Sequence, residues 1–244
     1  NLGLTLQELG QLDAAVKSYE QALAIKPDYA DAYTNLGVTL HELGQLDAAL
    51  KSYEQVLAIN PDYAKGYNNH GTALMDLGLL DAAVKSYKQA LAIKPDYAEV
   101  HSNLGLTLQE LGQLGVAVKC YEKAVALKPD YAEAQYNVGV TIHELGQVDS
   151  AIKCYERVLA IQHAYPNAHN NLGQILLESG QPDAAMSHFE WAVAYQPEFS
   201  EAHNNLGSSL LALRQVNTSV THYEKAIAIK PDYQLAYNNL GIAY

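Results

Sequence analysis

The chain has 244 residues, a formal net charge of −12 and 17% charged residues. Its acids are scattered, and no basic cluster could neutralise a row of phosphates, which argues against a nucleic-acid partner. No apolar run approaches the ~20 residues that span a bilayer, and no charged-then-apolar leader precedes the first helix. We therefore expect no membrane contact, and the free thiols expected at Cys120 and Cys154 favour an intracellular, cytoplasmic protein.

A period of 34 residues runs through the chain: Asn-Leu-Gly or a close variant begins at Asn1 and recurs at this spacing up to Asn239. A fixed period of this size is the sequence signature of a repeat architecture. We therefore expect one array over residues 1–244. It comprises a partial repeat at 1–29, whole repeats at 30–63, 64–97, 98–131, 132–165, 166–199 and 200–233, and a partial repeat at 234–244.

Each repeat is predicted to be a helical hairpin, described here for residues 64–97 with Ala64 as position one. Apolar and small residues recur at helical spacing from Tyr67 to Leu74 and again from Ala83 to Ala90. Two helices of this length joined by a short turn pack antiparallel to each other.

The ends of these helices carry their own signals. Gly78 is expected to end the first helix, because glycine accepts the left-handed conformation. Asp81 is expected to cap the second helix by accepting bonds from first-turn amides. Pro95 stops that helix, because proline cannot continue the hydrogen-bond ladder, and Asp96 is expected to cap the next first helix.

Small and aromatic residues at fixed positions predict the core. Glycine at position eight and alanine at position twenty permit close approach of the two helices, and an aromatic ring at position twenty-four fills the remaining space. An aromatic stripe at this spacing is typical of a core, so we expect no cofactor. The glycines are Gly3, Gly37, Gly71, Gly105, Gly139, Gly173, Gly207 and Gly241.

Departures from the pattern begin with His70, which takes a core leucine position and needs a hydrogen-bond partner there. Further along, His163 replaces the proline, Arg214 replaces the hairpin glycine and Ser219 replaces the close-packing alanine. We therefore expect the last whole repeat to be the loosest.

The histidines and cysteines do not predict a metal site. His41 and His143 share a helix face but lie three repeats apart, and the histidines at position four are expected to be packed imidazoles: His101, His169 and His203. Cys120 and Cys154 are one repeat apart. Because packed helix axes lie about 8–10 Å apart and a disulfide needs Cα atoms within roughly 7 Å, free thiols are predicted.

Position by position, the pattern resembles the tetratricopeptide repeat (TPR) family, with an aromatic at four, Leu-Gly at seven and eight, alanine at twenty and twenty-seven, and proline at thirty-two. The segments 31–37 and 101–104 resemble more specifically the TPR domain of O-linked N-acetylglucosamine transferase and related SPINDLY-type proteins. The resemblance implies an all-α, right-handed superhelical solenoid of antiparallel helix-turn-helix repeats. It also implies that the first helices line a concave surface that binds extended segments of a protein or peptide partner.

Two rows of polar residues lie on that face, because positions two, six, nine and thirteen fall on one stripe at 100° per residue. An asparagine amide can pair with the N–H and C=O of any extended peptide, and resemblance to the transferase implies this role for position six. The alternative is that each amide satisfies a neighbouring helix. We call position six the asparagine ladder: Asn35, Asn69, Asn103, Asn137, Asn171 and Asn205. We call position thirteen the acid row: Glu42, Asp76, Glu110 and Glu144.

The acid row suggests basic or hydroxyl-rich partner segments, although glutamates on helices are commonly only solvated. A carboxylate clamp of the co-chaperone type needs lysines at positions two and five, and only Lys65 offers one. No acid/base pair or activated nucleophile points to an enzyme. The favoured function is therefore a peptide-binding scaffold, a recruiting part of a larger protein such as a glycosyltransferase. The alternative is a structural module that assembles homo-oligomers by stacking end to end.

Overall fold

The computed structural model describes residues 2–244, so Asn1, the first asparagine of the period, lies outside the described residues. Within residues 2–244 the chain forms fifteen α-helices and no strand, which confirms the predicted all-α fold of helix-turn-helix repeats. The helices are α1 (Leu2–Glu8), α2 (Leu12–Ile25), α3 (Ala30–Glu42), α4 (Leu46–Ile59), α5 (Ala64–Asp76), α6 (Leu80–Ile93), α7 (Ala98–Glu110), α8 (Leu114–Leu127), α9 (Ala132–Glu144), α10 (Val148–Ile161), α11 (Pro166–Glu178), α12 (Pro182–Tyr195), α13 (Ser200–Ala212), α14 (Val216–Ile229) and α15 (Gln234–Ala243).

The helices are short and amphipathic. In the repeat of α3 and α4 they have 13 and 14 residues, and the later whole repeats keep these lengths. None of the helices described in residues 2–244 has the length and hydropathy required to cross a membrane.

Two compact units divide the chain. The first ends at Pro129 and holds α1–α8, and the second runs from Asp130 to Tyr244 and holds α9–α15. Within each unit the two helices of a repeat pack together, and the second helix also packs against the first helix of the next repeat. Successive first helices touch as well, as α3 touches α5 and α11 touches α13. The first helices of neighbouring repeats are therefore close enough for side chains to bridge them.

Gly78 ends its helix as the sequence predicts. Its φ is 73°, in the left-handed region, and its N–H donates to the Met75 carbonyl at 2.8 Å. The N–H of Leu79 donates to the Leu74 carbonyl at 2.9 Å. This pair of bonds is a Schellman motif, which satisfies carbonyls that the helix end would leave unpaired.

The predicted aspartate caps are wrong. Helix α6 begins at Leu80, one residue before Asp81, and its N-cap residue is Leu79, without a side-chain cap bond. Helix α7 likewise has Tyr97, not Asp96, as its N-cap residue. Asp81 lies inside the first turn, where its charge is favourable toward the positive end of the helix dipole. Asp81 therefore favours α6 through the field of the helix and not through a cap bond.

A contact between glycine and an aromatic ring joins the two helices of each repeat. At Gly105 a Cβ would lie 2.7 Å from Tyr121 Cε1, and Tyr121 and Ala117 are fully buried. The same contact recurs at Gly3, Gly37, Gly71, Gly139, Gly173 and Gly207, with Phe189 as the ring opposite Gly173. Gly241 differs, since a Cβ there would meet nothing within 4 Å. The close approach predicted from glycine is confirmed at every position except Gly241.

The residues that depart from the repeat pattern differ in their hydrogen bonds and backbone conformation. His70 Nδ1 lies 2.8 Å from Ser86 Oγ, so the predicted partner is present, and burial lowers the pKa of His70. Arg214 has a φ of 61°, and it is the one non-glycine residue with a positive φ in residues 2–244. Ser219 is fully buried, and its hydroxyl has no hydrogen-bond partner. Cys120 is a free thiol, as predicted.

Candidate functional site

The asparagine ladder lies on the first helices, and each of its six residues is half-buried. In the first unit Asn103 reaches back to the preceding repeat, where its Nδ2 donates to Asn68 Oδ1 at 3.0 Å. Asn68 occupies position five of α5. The bond therefore joins position six of one first helix to position five of the first helix before it.

The second unit repeats this bond. Asn205 Nδ2 donates to Asn170 Oδ1 at 3.0 Å, and Asn239 Nδ2 donates to Asn204 Oδ1 at 2.9 Å. Asn171 Nδ2 donates to the hydroxyl of Tyr136 at 3.0 Å. Position five is thus the acceptor in each case. We call these contacts the five–six bonds.

Position five is absent from the site residues predicted from the sequence, although it accepts the bonds that hold the ladder amides. The signal was present: in the six whole repeats, position five always carries a side-chain oxygen. Its residues are Thr34, Asn68, Ser102, Tyr136, Asn170 and Asn204.

The five–six bonds are the hydrogen bonds expected under the alternative interpretation, in which each asparagine amide satisfies a neighbouring helix. They do not exhaust the amide, which has two N–H donors and one acceptor oxygen. An asparagine such as Asn103 can therefore bridge two repeats and still offer polar atoms to a ligand.

Asn69 differs from Asn103, Asn171 and Asn205, because it makes no five–six bond. Its position-five neighbour, Thr34, donates its hydroxyl to the Ala30 carbonyl at 3.0 Å. The Nδ2 of Asn69 is buried and has no partner among the protein atoms. A buried donor in this state costs about 1–3 kcal/mol. Asn69 is therefore the ladder residue whose amide nitrogen is buried without a protein partner.

The acid row is exposed along its length, and two of its members are held by the preceding repeat. Gln7 Nε2 donates to Glu42 Oε1 at 3.0 Å, and His41 Nε2 donates to an oxygen of Asp76. In both cases the donor occupies position twelve. These bonds fix the direction of the carboxylates while leaving them in contact with solvent.

A groove in the first unit brings the two rows together. It has a volume of about 420 Å³ and is lined by Asn35, Glu42, Leu4, Val38 and Lys65, among others. These residues come from α1, α3 and α5, so three successive first helices form it. Its lining combines the apolar side chains of Leu4 and Val38 with charges of both signs.

The other predicted site residues fall into two groups. Asn69, Asn103, Asp76 and Glu110 belong to the first unit with Asn35 and Glu42. Asn137, Asn171, Asn205 and Glu144 belong to the second unit. No group of three or more His, Cys, Asp or Glu side chains in residues 2–244 is arranged to hold a metal ion.

Family comparisons agree with the period and the geometry. Models described as TPR repeat or tetratricopeptide repeat match residues 3–44, 71–112 and 108–146, residues 130–198, residues 30–63, and residues 170–244. The chain belongs to the tetratricopeptide repeat family. No curated protein matches this chain.

Solved structures share the TPR fold. A protein from Pseudomonas aeruginosa, pilF, is 17% identical with a TM-score of 0.79, over 87% of this chain and 97% of its own. YrrB, described as a TPR protein with an unusual peptide-binding site, is 22% identical with a TM-score of 0.62, over 78% of this chain and 97% of its own. MamA is 24% identical with a TM-score of 0.63, over 67% of this chain and 95% of its own. At these identities the similarity shows the fold alone.

Proposed function

We propose that this TPR chain is a protein-interaction scaffold that binds extended peptide segments along its first helices. The asparagine ladder forms hydrogen bonds with the peptide backbone, and the acid row selects segments with basic or hydroxyl-bearing side chains. The observation that carries the proposal is the unpartnered Nδ2 of Asn69, a buried donor at the centre of the ladder of the first unit. A peptide carbonyl would satisfy this nitrogen once the side-chain amide rotates outward, since the nitrogen is buried in the chain alone.

The groove of the first unit supports the same proposal of peptide binding along the first helices. A peptide over α1, α3 and α5 would meet the Asn35 amide, the Glu42 carboxylate and the apolar side chains of Leu4 and Val38. Amides can pair with any peptide backbone, so they contribute affinity with little selectivity. The carboxylates contribute charge complementarity, which mainly sets specificity and the rate of association.

The test separates backbone binding from bridging between repeats. A random 12-residue peptide library displayed on phage is selected on the chain, and the affinity of the best peptide is measured by isothermal titration calorimetry. Asn69→Ala removes only the long 3.5 Å bond that Asn69 Oδ1 accepts from Asn68 Nδ2, and it also removes the buried donor without a partner, so its stability should be nearly unchanged. Its peptide affinity should fall about 5- to 100-fold, as expected for one or two lost hydrogen bonds of about 1–3 kcal/mol.

Asn68→Ala is the matched control, because it removes the same 3.5 Å bond to Asn69 and also the acceptor of the five–six bond to Asn103, while the Asn69 amide itself stays in place. It should lower the free energy of unfolding by about 1 kcal/mol and change peptide affinity little. If Asn69→Ala binds the peptide as tightly as the parent chain, the ladder does not bind ligand. If 0.5 M salt leaves the affinity unchanged, the acid row has no part in selection.

We also propose that the scaffold recruits substrates for a larger protein such as a glycosyltransferase. This part rests on the resemblance of segments 31–37 and 101–104, since the matched family models are general TPR models. A pull-down with the phage-selected peptide, fused to a serine- and threonine-rich acceptor, tests it in cell extract. Transfer of N-acetylglucosamine to the acceptor supports the link, and binding without transfer contradicts it.

End-to-end self-assembly is the second candidate function. Helix α15 exposes Leu235, Tyr237 and Ile242, each to at least half of its surface. Packing of this helix against a second copy would bury them. Sedimentation velocity between 5 and 200 μM, taken as roughly the range in which weak interfaces associate, distinguishes this function. A constant sedimentation coefficient would exclude it.

A further inference from the structure

Two pairs of histidines lie on the second unit, away from the asparagine ladder. His169 Nδ1 is 3.0 Å from His188 Nδ1, and His203 Nδ1 is 3.0 Å from His222 Nδ1. Each pair joins position four of a first helix to position twenty-three of the second helix in the same repeat. Position twenty-three is serine or cysteine in the earlier repeats. The two pairs are therefore equivalent sites in neighbouring repeats.

Hydrogen bonds fix the protons of each pair. His203 Nε2 lies 3.0 Å from the Pro197 carbonyl, and a carbonyl only accepts, so Nε2 carries the hydrogen. Nδ1 of a neutral His203 is then an acceptor, and His222 Nδ1 must donate to it. His169 is held in the same way by the His163 carbonyl at 3.0 Å. Burial lowers the pKa of His169 and of His222 to about 4, which keeps both pairs neutral.

The first pair is covered by aromatic rings of the chain itself. The Trp191 ring lies 6.4 Å from the His169 ring at an angle of 28°, and Tyr195 stacks on Trp191 at 5.6 Å and 17°. His163 contacts Trp191 edge-on at 5.2 Å. In the first pair, an indole ring of the chain itself thus lies over the imidazole of His169.

The second pair lacks that cover. The residues equivalent to His163, Trp191 and Tyr195 are Pro197, Lys225 and Ile229. Together with Val193, Leu206 and His222, they line a cavity of about 500 Å³. This volume lies within the range of about 300–1,000 Å³ that is usual for ligand pockets.

We propose that the cavity over His203 and His222 binds an aromatic side chain of a partner peptide, with tryptophan preferred. The imidazole pair is a flat platform for offset stacking, and Val193 and Leu206 supply apolar walls. Lys225 at the rim can place its ammonium over the ring, as Lys230 does over Tyr233 at 5.3 Å in the same repeat. Glu190, the other charged residue of the rim, can accept a bond from an indole N–H.

This site extends the proposed function to a second contact, but it does not depend on the ladder, because no ladder residue lines the cavity. The probe is N-acetyl-L-tryptophan amide, with N-acetyl-L-leucine amide as the aliphatic control. Binding is followed through the ring resonances of His203 and His222 by NMR. For a fragment of this size we expect a Kd on the order of 1 mM.

The matched variants exchange the covers of the two pairs. Pro197→His with Lys225→Trp and Ile229→Tyr copies the cover of the first pair onto the second, and should weaken binding of the tryptophan amide at least about tenfold. The single variant Lys225→Trp should weaken it in the same direction and changes only one exposed residue.

The reverse exchange uncovers the first pair. His163→Pro with Trp191→Lys and Tyr195→Ile should create a second site, so that the ring resonances of His169 also shift and the stoichiometry doubles.

Three results would overturn the proposal. They are equal binding of the leucine amide, unchanged tryptophan binding in Lys225→Trp with the helical circular dichroism preserved, and absence of any shift in the rings of His203 and His222. Each leaves the test of Asn69 untouched, so the two proposals fail separately.

Discussion

The contact between glycine and an aromatic ring makes a sharp prediction about stability in the repeat of α7 and α8. Gly105 and Gly115 belong to this same repeat, yet their surroundings differ. A Cβ at Gly105 would lie 2.7, 2.8 and 3.0 Å from three carbons of the Tyr121 ring, whereas a Cβ at Gly115 would meet nothing within 4 Å. Both glycines are helical, so alanine removes the same kind of backbone penalty at each.

The magnitude follows from two opposing terms. Glycine costs about 1 kcal/mol relative to alanine inside a helix, and less near a helix start, so Gly115→Ala should stabilise by about 0.5–1 kcal/mol. At Gly105 that gain is opposed by overpacking against a fully buried ring, which costs about 1–3 kcal/mol. We therefore expect Gly105→Ala to be less stable than Gly115→Ala by about 1–3 kcal/mol.

Equilibrium unfolding in urea, followed by circular dichroism at 222 nm, measures both variants. Tyr121→Leu combined with Gly105→Ala completes a double-mutant cycle, and the clash predicts a favourable coupling of at least about 1 kcal/mol. Equal stabilisation by the two alanine substitutions would refute the argument, because it would mean that the ring moves away without cost.

Three further predictions concern the second unit. Arg214→Gly should stabilise the folded chain by about 1 kcal/mol, because glycine removes the cost of a positive φ in an L-residue. Gly180→Arg at the equivalent turn should destabilise it by a similar amount. Thermal melts compare the two variants. Ser219→Ala should stabilise by about 1 kcal/mol in urea unfolding, since it removes a buried hydroxyl without a partner, and an unchanged midpoint would show that the hydroxyl is satisfied. The pKa of His169 and of His222 is about 4 in the folded chain, below the usual 6.5. Between these two pH values the unfolded chain therefore binds more protons than the folded chain. The free energy of unfolding should fall as the pH drops from 6.5 to 4. We expect the free energy of unfolding to fall by about 1–2 kcal/mol, which is less than the sum of the two pKa shifts, because His222 is partly in solvent and paired rings titrate together. Urea unfolding at pH 7.5, 5.5 and 4.5 measures this loss. The variant His222→Ser should show a smaller loss.

The core was predictable from sequence because its residues recur at one period. Gly105 and Tyr121 lie in the same repeat, so helical spacing alone places one against the other. The partner of His70 could likewise be anticipated, since a buried imidazole requires one. Sequence could not show that Asp81 is inside the first turn, because helix start signals are uncertain by a residue or more.

The candidate site was less predictable because its contacts join different repeats. The bond from Asn103 to Asn68 depends on the lateral register of two first helices, which no local pattern encodes. The pairing of His203 with His222 depends on the distance between positions four and twenty-three. The sequence does contain a signal for this pairing. Position twenty-three is histidine only in the whole repeats 166–199 and 200–233, and both of these repeats also have histidine at position four.

The two kinds of contact have different consequences for how such a gene can change. The contact of Gly105 with Tyr121 is complete within one 34-residue cassette, so duplicating or deleting a cassette leaves every such contact intact. The bond of Asn103 to Asn68 crosses a cassette boundary, and recombination between unlike cassettes would set an asparagine opposite a new residue. A change in the number of cassettes therefore keeps the glycine–ring contacts, whereas a change in the order of cassettes alters the five–six bonds.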